Sequence, residues 1–125
     1  MREILFRGKR IYGGSDWVYG SLVSVKGRTY INFCDDEDVL WELEVDPSTV
    51  GQYFDKKDKN GNQIFEGDIV KVSQSGSSYY AKIEYGCGCF WVSNPDIQIP
   101  DTINNFKMEF IEVVGNVYDN NELLR

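Results

Sequence analysis

The sequence predicts an all-β domain, β-dominated with one or two short helical turns. It expects β-hairpins in the N-terminal half and a small, partly open, SH3-like barrel in the C-terminal half, from about Ile64 to Tyr118. Three observations carry that expectation. Apolar and polar residues alternate with period 2 in several short runs, the pattern of a strand with one buried face. Twelve glycines are scattered between those runs, as in proteins built from short strands and tight turns. No window carries a sustained apolar stripe of helical period, so long amphipathic helices are not expected.

Taken in chain order, Trp17 to Val25 and Thr29 to Phe33 are rich in aromatic and β-branched residues, and Lys26-Gly27-Arg28 between them reads as a hairpin turn. From Val39 to Val45 the odd positions Val39, Trp41, Leu43 and Val45 are apolar, while Glu42 and Glu44 fall on the other face, as in a half-buried strand. Asp46-Pro47-Ser48-Thr49-Val50 sets an N-cap acid before a proline at the first helical position, and Gly51 follows, so a turn or two of helix is expected. Ile69 to Val72 is a strand, Ser73 to Ser78 a polar turn, and Tyr79 to Tyr85 an alternating strand. Phe106 to Tyr118 reads as a longer strand. Its apolar positions switch from even (Phe106, Met108, Phe110) to odd (Ile111, Val113), which places a bulge between Phe110 and Ile111. Asp119 to Leu124 reads as a short helical turn, and Ser93 to Asn105, with Pro95 and Pro100, as the candidate mobile loop. One domain is expected over 1–125, with 1–55 and 56–125 as candidate lobes.

Composition excludes several functions. The chain contains no histidine, which removes every Ser-His-Asp or Cys-His nucleophile and every His-ligated metal site built from this chain alone. No apolar run approaches the ~20 residues of a membrane-spanning helix, and Met1 to Arg7 lacks the apolar core of a signal peptide. The expected location is therefore the cytoplasm, with no membrane partner. Three cysteines, an odd number, point to free thiols rather than a disulfide framework. A net charge of -7 opposes sequence-independent nucleic-acid binding. The charge is segregated: residues 1–30 carry six basic and two acidic groups, whereas residues 31–55 carry eight acidic and none basic.

Five constellations carry residues capable of chemistry. Asp55 to Gly61 resembles a calcium loop but fails its spacing: neither register supplies enough oxygen ligands, and Asn60-Gly61 reads as a turn. Glu66-Gly67-Asp68 holds a carboxylate pair of the kind used in acid/base work, and reads more simply as a turn feeding a strand. Cys87-Gly88-Cys89 offers two thiols, too few for a zinc site without His, and reads as a hairpin turn with two half-buried thiols. Arg2, Arg7, Lys9 and Arg10 are interleaved with aromatics and followed by Trp17 and Tyr19, the composition of a single-stranded nucleic-acid platform or of a charged strand edge. Asp35-Asp36-Glu37-Asp38 reads as a solvated loop tip.

Several blocks together resemble the YopX family of phage and prophage proteins. They are Phe6-Arg7-Gly8-Lys9 with Trp17 to Leu22, Asp46 to Tyr53, Asp58-Lys59-Asn60-Gly61-Asn62-Gln63-Ile64-Phe65-Glu66-Gly67-Asp68-Ile69-Val70, and Ile111 to Tyr118 with Asn121 to Leu124. Phe54 and Asp55 depart from the pattern, and Cys87-Gly88-Cys89 lies outside it. The resemblance implies a small β-rich accessory protein of phages and prophages with no established activity, so no catalytic residue is carried over. The motif residues Pro47, Gly51, Asp58, Asn60, Gly61, Glu66, Gly67 and Asp68 are assigned structural roles.

No catalytic residue, cofactor or metal ligand is assigned, and the chain is not expected to be an enzyme. The leading expectation is a protein-binding, self-associating accessory module in a bacterial cytoplasm. Its partner would be a second copy or a phage or host protein. The alternative is a nucleic-acid-binding or regulatory phage protein using Arg2, Arg7, Lys9, Arg10, Trp17 and Tyr19.

Overall fold

A computed structural model describes residues 3–14, 16–94 and 101–124. The chain divides into two compact units, Met1–Tyr53 and Phe54–Arg125. Among the described residues the strands of 6–44 and of 68–116 pair antiparallel with their sheet neighbours, as do Phe6 and Arg7 with Gln52 and Gly51, and the helical pieces are four 3-10 turns, in keeping with the all-β expectation. None of the described helical pieces is long and apolar enough to cross a membrane.

The first unit holds β1 (Phe6–Lys9), β2 (Trp17–Val25), β3 (Arg28–Cys34), β4 (Leu40–Glu44), a 3-10 turn (Pro47–Thr49) and the start of β5 (Gly51–Lys57). Their order is β4-β3-β2-β1-β5. The β2–β3 hairpin forms where the sequence places it, because Lys26 (φ 51) and Gly27 (φ 79) both take the left-handed conformation that a two-residue turn between right-twisted strands requires. The Pro47 turn also forms as expected: the Asp46 carboxylate accepts the Ser48 N–H at 3.0 Å. Beyond β1 the chain reaches β4, where Arg10 bridges Val45 and Ile11 N–H donates to the Glu44 carbonyl at 3.1 Å. Val18, Ile31 and Val45 form the core of this unit, with Phe6, Phe33, Leu43 and Val50 packed on it. Gly20 lies tight against β3: a Cβ there would overlap the Asn32 carbonyl oxygen.

The second unit carries the rest of β5, β6 (Gln63–Phe65), β7 (Asp68–Gln74), β8 (Ser77–Gly86), β9 (Cys89–Ser93), β10 (Asp101–Thr102) and β11 (Ile111–Asn116). Its five-stranded sheet has the order β10-β9-β8-β7-β11. Ser75-Gly76 and Cys87-Gly88 repeat the positive-φ pair of Lys26-Gly27, and each turns one strand directly into the next. Register aligns Val72 with Ile111, Val70 with Ala81 and Ile83 with Val92 on one face. These six residues, with Ile64, Phe90 and Ile103, make the larger core. Each fully buried aliphatic side chain contributes about 1.5–3 kcal/mol of transfer free energy.

Three expectations change here. The sheet ends in two edges, β10 and β11, and does not close, so the SH3-like barrel is not confirmed. The strand expected from Phe106 to Tyr118 is only Ile111–Asn116, because Met108–Phe110 winds into a 3-10 turn that switches the apolar face. The bulge lies further on: the register shifts between Val113 and Gly115, leaving Val114 as the extra residue. In the candidate loop, Ile103 to Asn105 form a 3-10 turn with Ile103 buried, while Pro95 and Pro100 lie outside the described residues.

Gly20→Ala is expected to force β2 from β3 and to lower unfolding free energy by about 1–3 kcal/mol, read as a reduced urea midpoint at unchanged slope. An unchanged midpoint would show that the close approach is not a constraint.

Candidate functional site

The longest sequence motif builds turns. Asp58 is buried, and its carboxylate gathers backbone N–H donors: Asn60 at 2.9 Å, Asn62 at 2.8 Å and, from 55 residues away, Val113 at 2.8 Å. The Asn62 side-chain amide adds a longer contact at 3.5 Å. Gly61 N–H closes the same turn on the Asp58 carbonyl. Burial opposes ionisation of Asp58, but the donors from Val113, Asn62 and Asn60 outweigh it and hold its pKa below the usual 3.8. With oxygens facing amide protons, Asp58 acts as a bracket between the 58–62 turn and β11. Asp68, 1% exposed, does the same locally, accepting the Phe65 N–H at 2.7 Å. Gly67 turns the chain at φ +91, a conformation glycine adopts without penalty. Its N–H donates to the Ile83 carbonyl at 2.8 Å, and its own carbonyl accepts from Val117 at 2.9 Å. Pro47 opens its 3-10 turn as expected. Gly51 is buried at the head of β5 opposite Arg7, without positive φ, so backbone freedom is not its role.

Glu66 and Asp68, the carboxylate pair weighed for acid/base chemistry, are separated in role. Glu66 and Gly67 line a cleft of about 530 Å³ in the second unit, and Asp68 does not. The cleft is also lined by Lys82, Glu84, Trp91 and Tyr118. Glu84 stands directly opposite Trp91 across the β8–β9 ladder, so their side chains share a face, and Lys82 two residues earlier shares it too. Lys82 and Glu84 form an ion pair at 2.8 Å. The Trp91 indole N–H donates to the Gly86 carbonyl at 2.9 Å, which fixes the ring. Sequence reading missed this cleft because its parts come from 66–67, 82–91 and 117–121, and only the β8–β9 turn brings Glu84 to Trp91.

The basic, aromatic N-terminal strands are brought together in part. Lys9 faces Trp17 and Arg7 faces Tyr19 across β1–β2, so the four share one face. The Arg7 guanidinium lies 4.7 Å and the Lys9 ammonium 5.7 Å from the centre of the Trp17 ring, both within cation–π range. Arg7 is 6% exposed, so it is a packed residue of this face. Arg10 sits at the bridge to Val45, Tyr19 is exposed, and Arg2 lies outside the described residues.

The acidic run forms the turn between β3 and β4. Asp35 accepts the N–H groups of Glu37 and Val39 and the indole N–H of Trp41, at 2.9–3.0 Å. The Trp41 bond does most to hold the Asp35 pKa below its ordinary value, helped by the N–H groups of Val39 and Glu37 and opposed by burial. The strand that follows is less buried than its alternation predicts. On its apolar face Val45 is fully buried, but Val39 (46%) and Trp41 (45%) are exposed, and Leu40 beside them is 68% exposed. β4 is the sheet edge. Val45 N–H bonds Thr29 of β3, so the alternate residues Leu40, Glu42 and Glu44 direct their backbone groups outward. At one end of this edge the Glu44 carbonyl accepts the Ile11 N–H.

Cys34, Cys87 and Cys89 are free and exposed. The half-burial expected of Cys87 and Cys89 is overturned because Cys87 (φ 52) occupies the turn itself and Cys89 opens β9 on its exposed side. Among the described residues no three His, Cys, Asp or Glu side chains gather as metal ligands.

Two outcomes follow. Asp58→Ala is expected to cost about 2–4 kcal/mol at pH 7, the scale of lost hydrogen bonds to a charged acceptor. Because the folded pKa lies below the unfolded one, the ionised carboxylate stabilises the fold above about pH 4. That contribution disappears as pH falls below the ordinary carboxylate range and through the folded value, so the gap between wild type and variant narrows on acidification in urea titrations. Second, a chromogenic disulfide reagent is expected to titrate all three thiols in the folded protein; a shortfall relative to unfolded chain would contradict their exposure.

Comparison with known proteins places this geometry. Residues 6–125 match the family described as YopX protein. Among solved structures, the chain is similar to protein yopX from Bacillus subtilis, with a TM-score of 0.64 at 24% identity, covering 97% of this chain and 98% of that one. It is also similar to protein EF1440 from Enterococcus faecalis, with a TM-score of 0.61 at 20% identity and complete coverage of both. No curated protein matches the chain. At these identities the structures speak for the fold, and the match over 6–125 speaks for descent: the chain belongs to the YopX family.

Proposed function

We propose that this chain is a non-enzymatic, protein-binding accessory module that accepts an extended, basic segment of its partner along the outer edge of β4. The open edge carries the proposal. Leu40 and Glu42 direct backbone donors and acceptors away from β3, and Val39, Leu40 and Trp41 form a contiguous exposed apolar run beside them. Such an edge is a template for strand addition, in which main-chain bonds give affinity and alternate side chains give specificity. The sign of the partner follows from charge: residues 31–55 hold eight acidic groups and no basic one. Like charges disfavour a symmetric contact between the β4 edges of two copies, so self-association would use another surface. We place the partner, a phage or host protein, in the cytoplasm of a bacterial host, where exposed free thiols stay reduced.

The nucleic-acid reading draws less support. Arg7 and Lys9 are already stacked on Trp17, the aromatic that a base would need as its platform.

A synthetic heptapeptide alternating Lys and Val, titrated into labelled protein, is expected to shift the backbone amide resonances of Leu40 and Glu42, while an Asp/Val heptapeptide is not. Leu40→Pro, which removes one outward donor at the first strand position, should weaken the response. Absence of shifts at these amides with the basic peptide would overturn the proposal. Light scattering after size exclusion decides self-association separately.

A further inference from the structure

We infer that the cleft lined by Glu66, Glu84, Trp91 and Tyr118 is a binding site for a guanidinium group, in the form of an arginine side chain of a peptide. The inference is independent of the β4 edge. The volume, about 530 Å³, is within the range of ligand sites and exceeds a guanidinium alone, leaving room for the stem and adjoining backbone. Its lining combines the carboxylates of Glu66 and Glu84 with the aromatic residues Tyr85, Trp91 and Tyr118, the pairing that recognises a planar cation. Trp91 is held by its bond to Gly86, so its ring is pre-positioned. Glu84 lies directly across the ladder from that ring, on the same face. A guanidinium stacked on Trp91 therefore has a carboxylate within the adjoining strand position to receive its N–H fork.

Lys82 now holds Glu84, at 2.8 Å, but the two side chains are 38% and 46% exposed. An exposed ion pair of this kind contributes little, so a ligand able to stack and bond together displaces the ammonium. Lys82 thus acts as a competitor inside the site. With Glu66 and Glu84 against Lys82, the charged lining favours a cation over an anion.

The test is a titration of the full chain with N-acetyl-L-arginine amide, followed at the indole N–H resonance of Trp91, with N-acetyl-L-citrulline amide as the neutral analogue of the same shape. The arginine probe is expected to give a saturable shift at Trp91 but not at Trp17 or Trp41, and the citrulline probe none. Glu84→Gln should weaken binding about tenfold, the scale of one charge-assisted contact. Lys82→Gln should tighten it severalfold, a gain that a merely structural Lys82 would not produce. Both substitutions lie on exposed side chains, so the folded spectrum remains the internal control. Equal response to citrulline, indifference to Glu84→Gln, or no shift at Trp91 at tens of millimolar probe would each overturn the inference.

Discussion

A single carboxylate joins distant parts of the second unit. Asp58 receives two N–H groups from its own turn and a third from Val113 in β11, so one side chain fixes both the local loop and the position of the outermost strand. Beside it, Lys59 N–H donates to the Ile111 carbonyl, and Gly67 links the 66–67 turn to β8 on one side and to Val117 on the other. The cleft exists because of these links, since Glu66 and Gly67 reach it only when the turn is tied to β8. The acid in this motif is therefore spent on backbone organisation, and the acid at Glu66 is presented outward.

The hairpins were legible in the sequence because their determinants are local. A glycine preceded by a residue tolerant of positive φ, set between alternating runs, is enough to specify a two-residue turn, and this happens at Lys26-Gly27, Ser75-Gly76 and Cys87-Gly88. The Asp46-Pro47 turn was legible for the same reason. Features that depend on sequence-distant partners were not. Alternation from Val39 to Val45 predicts a buried face, but burial needs something to pack against, and only the Val45 end finds it in Val18 and Ile31. The Arg7–Trp17 stack needs the β1–β2 register before it can be seen. At Met108 to Phe110 the switch in apolar positions was a true signal, but the 3-10 turn that produces it has no strong propensity marker.

Membership of the YopX family, with two bacterial relatives of the same fold, brings an architecture rather than an activity. What this chain adds is chemical detail on that scaffold. Each unit leaves a differently equipped surface: an acidic strand edge with exposed apolar side chains in the first, and an aromatic cleft with carboxylates in the second.

Strand order has a kinetic consequence. In β2-β3-β4 and in β7-β8-β9, sequence neighbours are sheet neighbours; three of these hairpins close on two residues, at Lys26-Gly27, Ser75-Gly76 and Cys87-Gly88, and β3–β4 closes on the short turn from Asp35 to Val39. The pairing of β11 with β7, by contrast, spans the whole of β8, β9 and the connection through β10. Loop-closure entropy delays such a contact until the intervening meander has formed. The bond from Val113 to Asp58 therefore belongs to the final stage of assembly, and until it forms, the apolar side of β7 has an unsealed flank. A nascent chain of this protein would hold that flank open until β11 had been made.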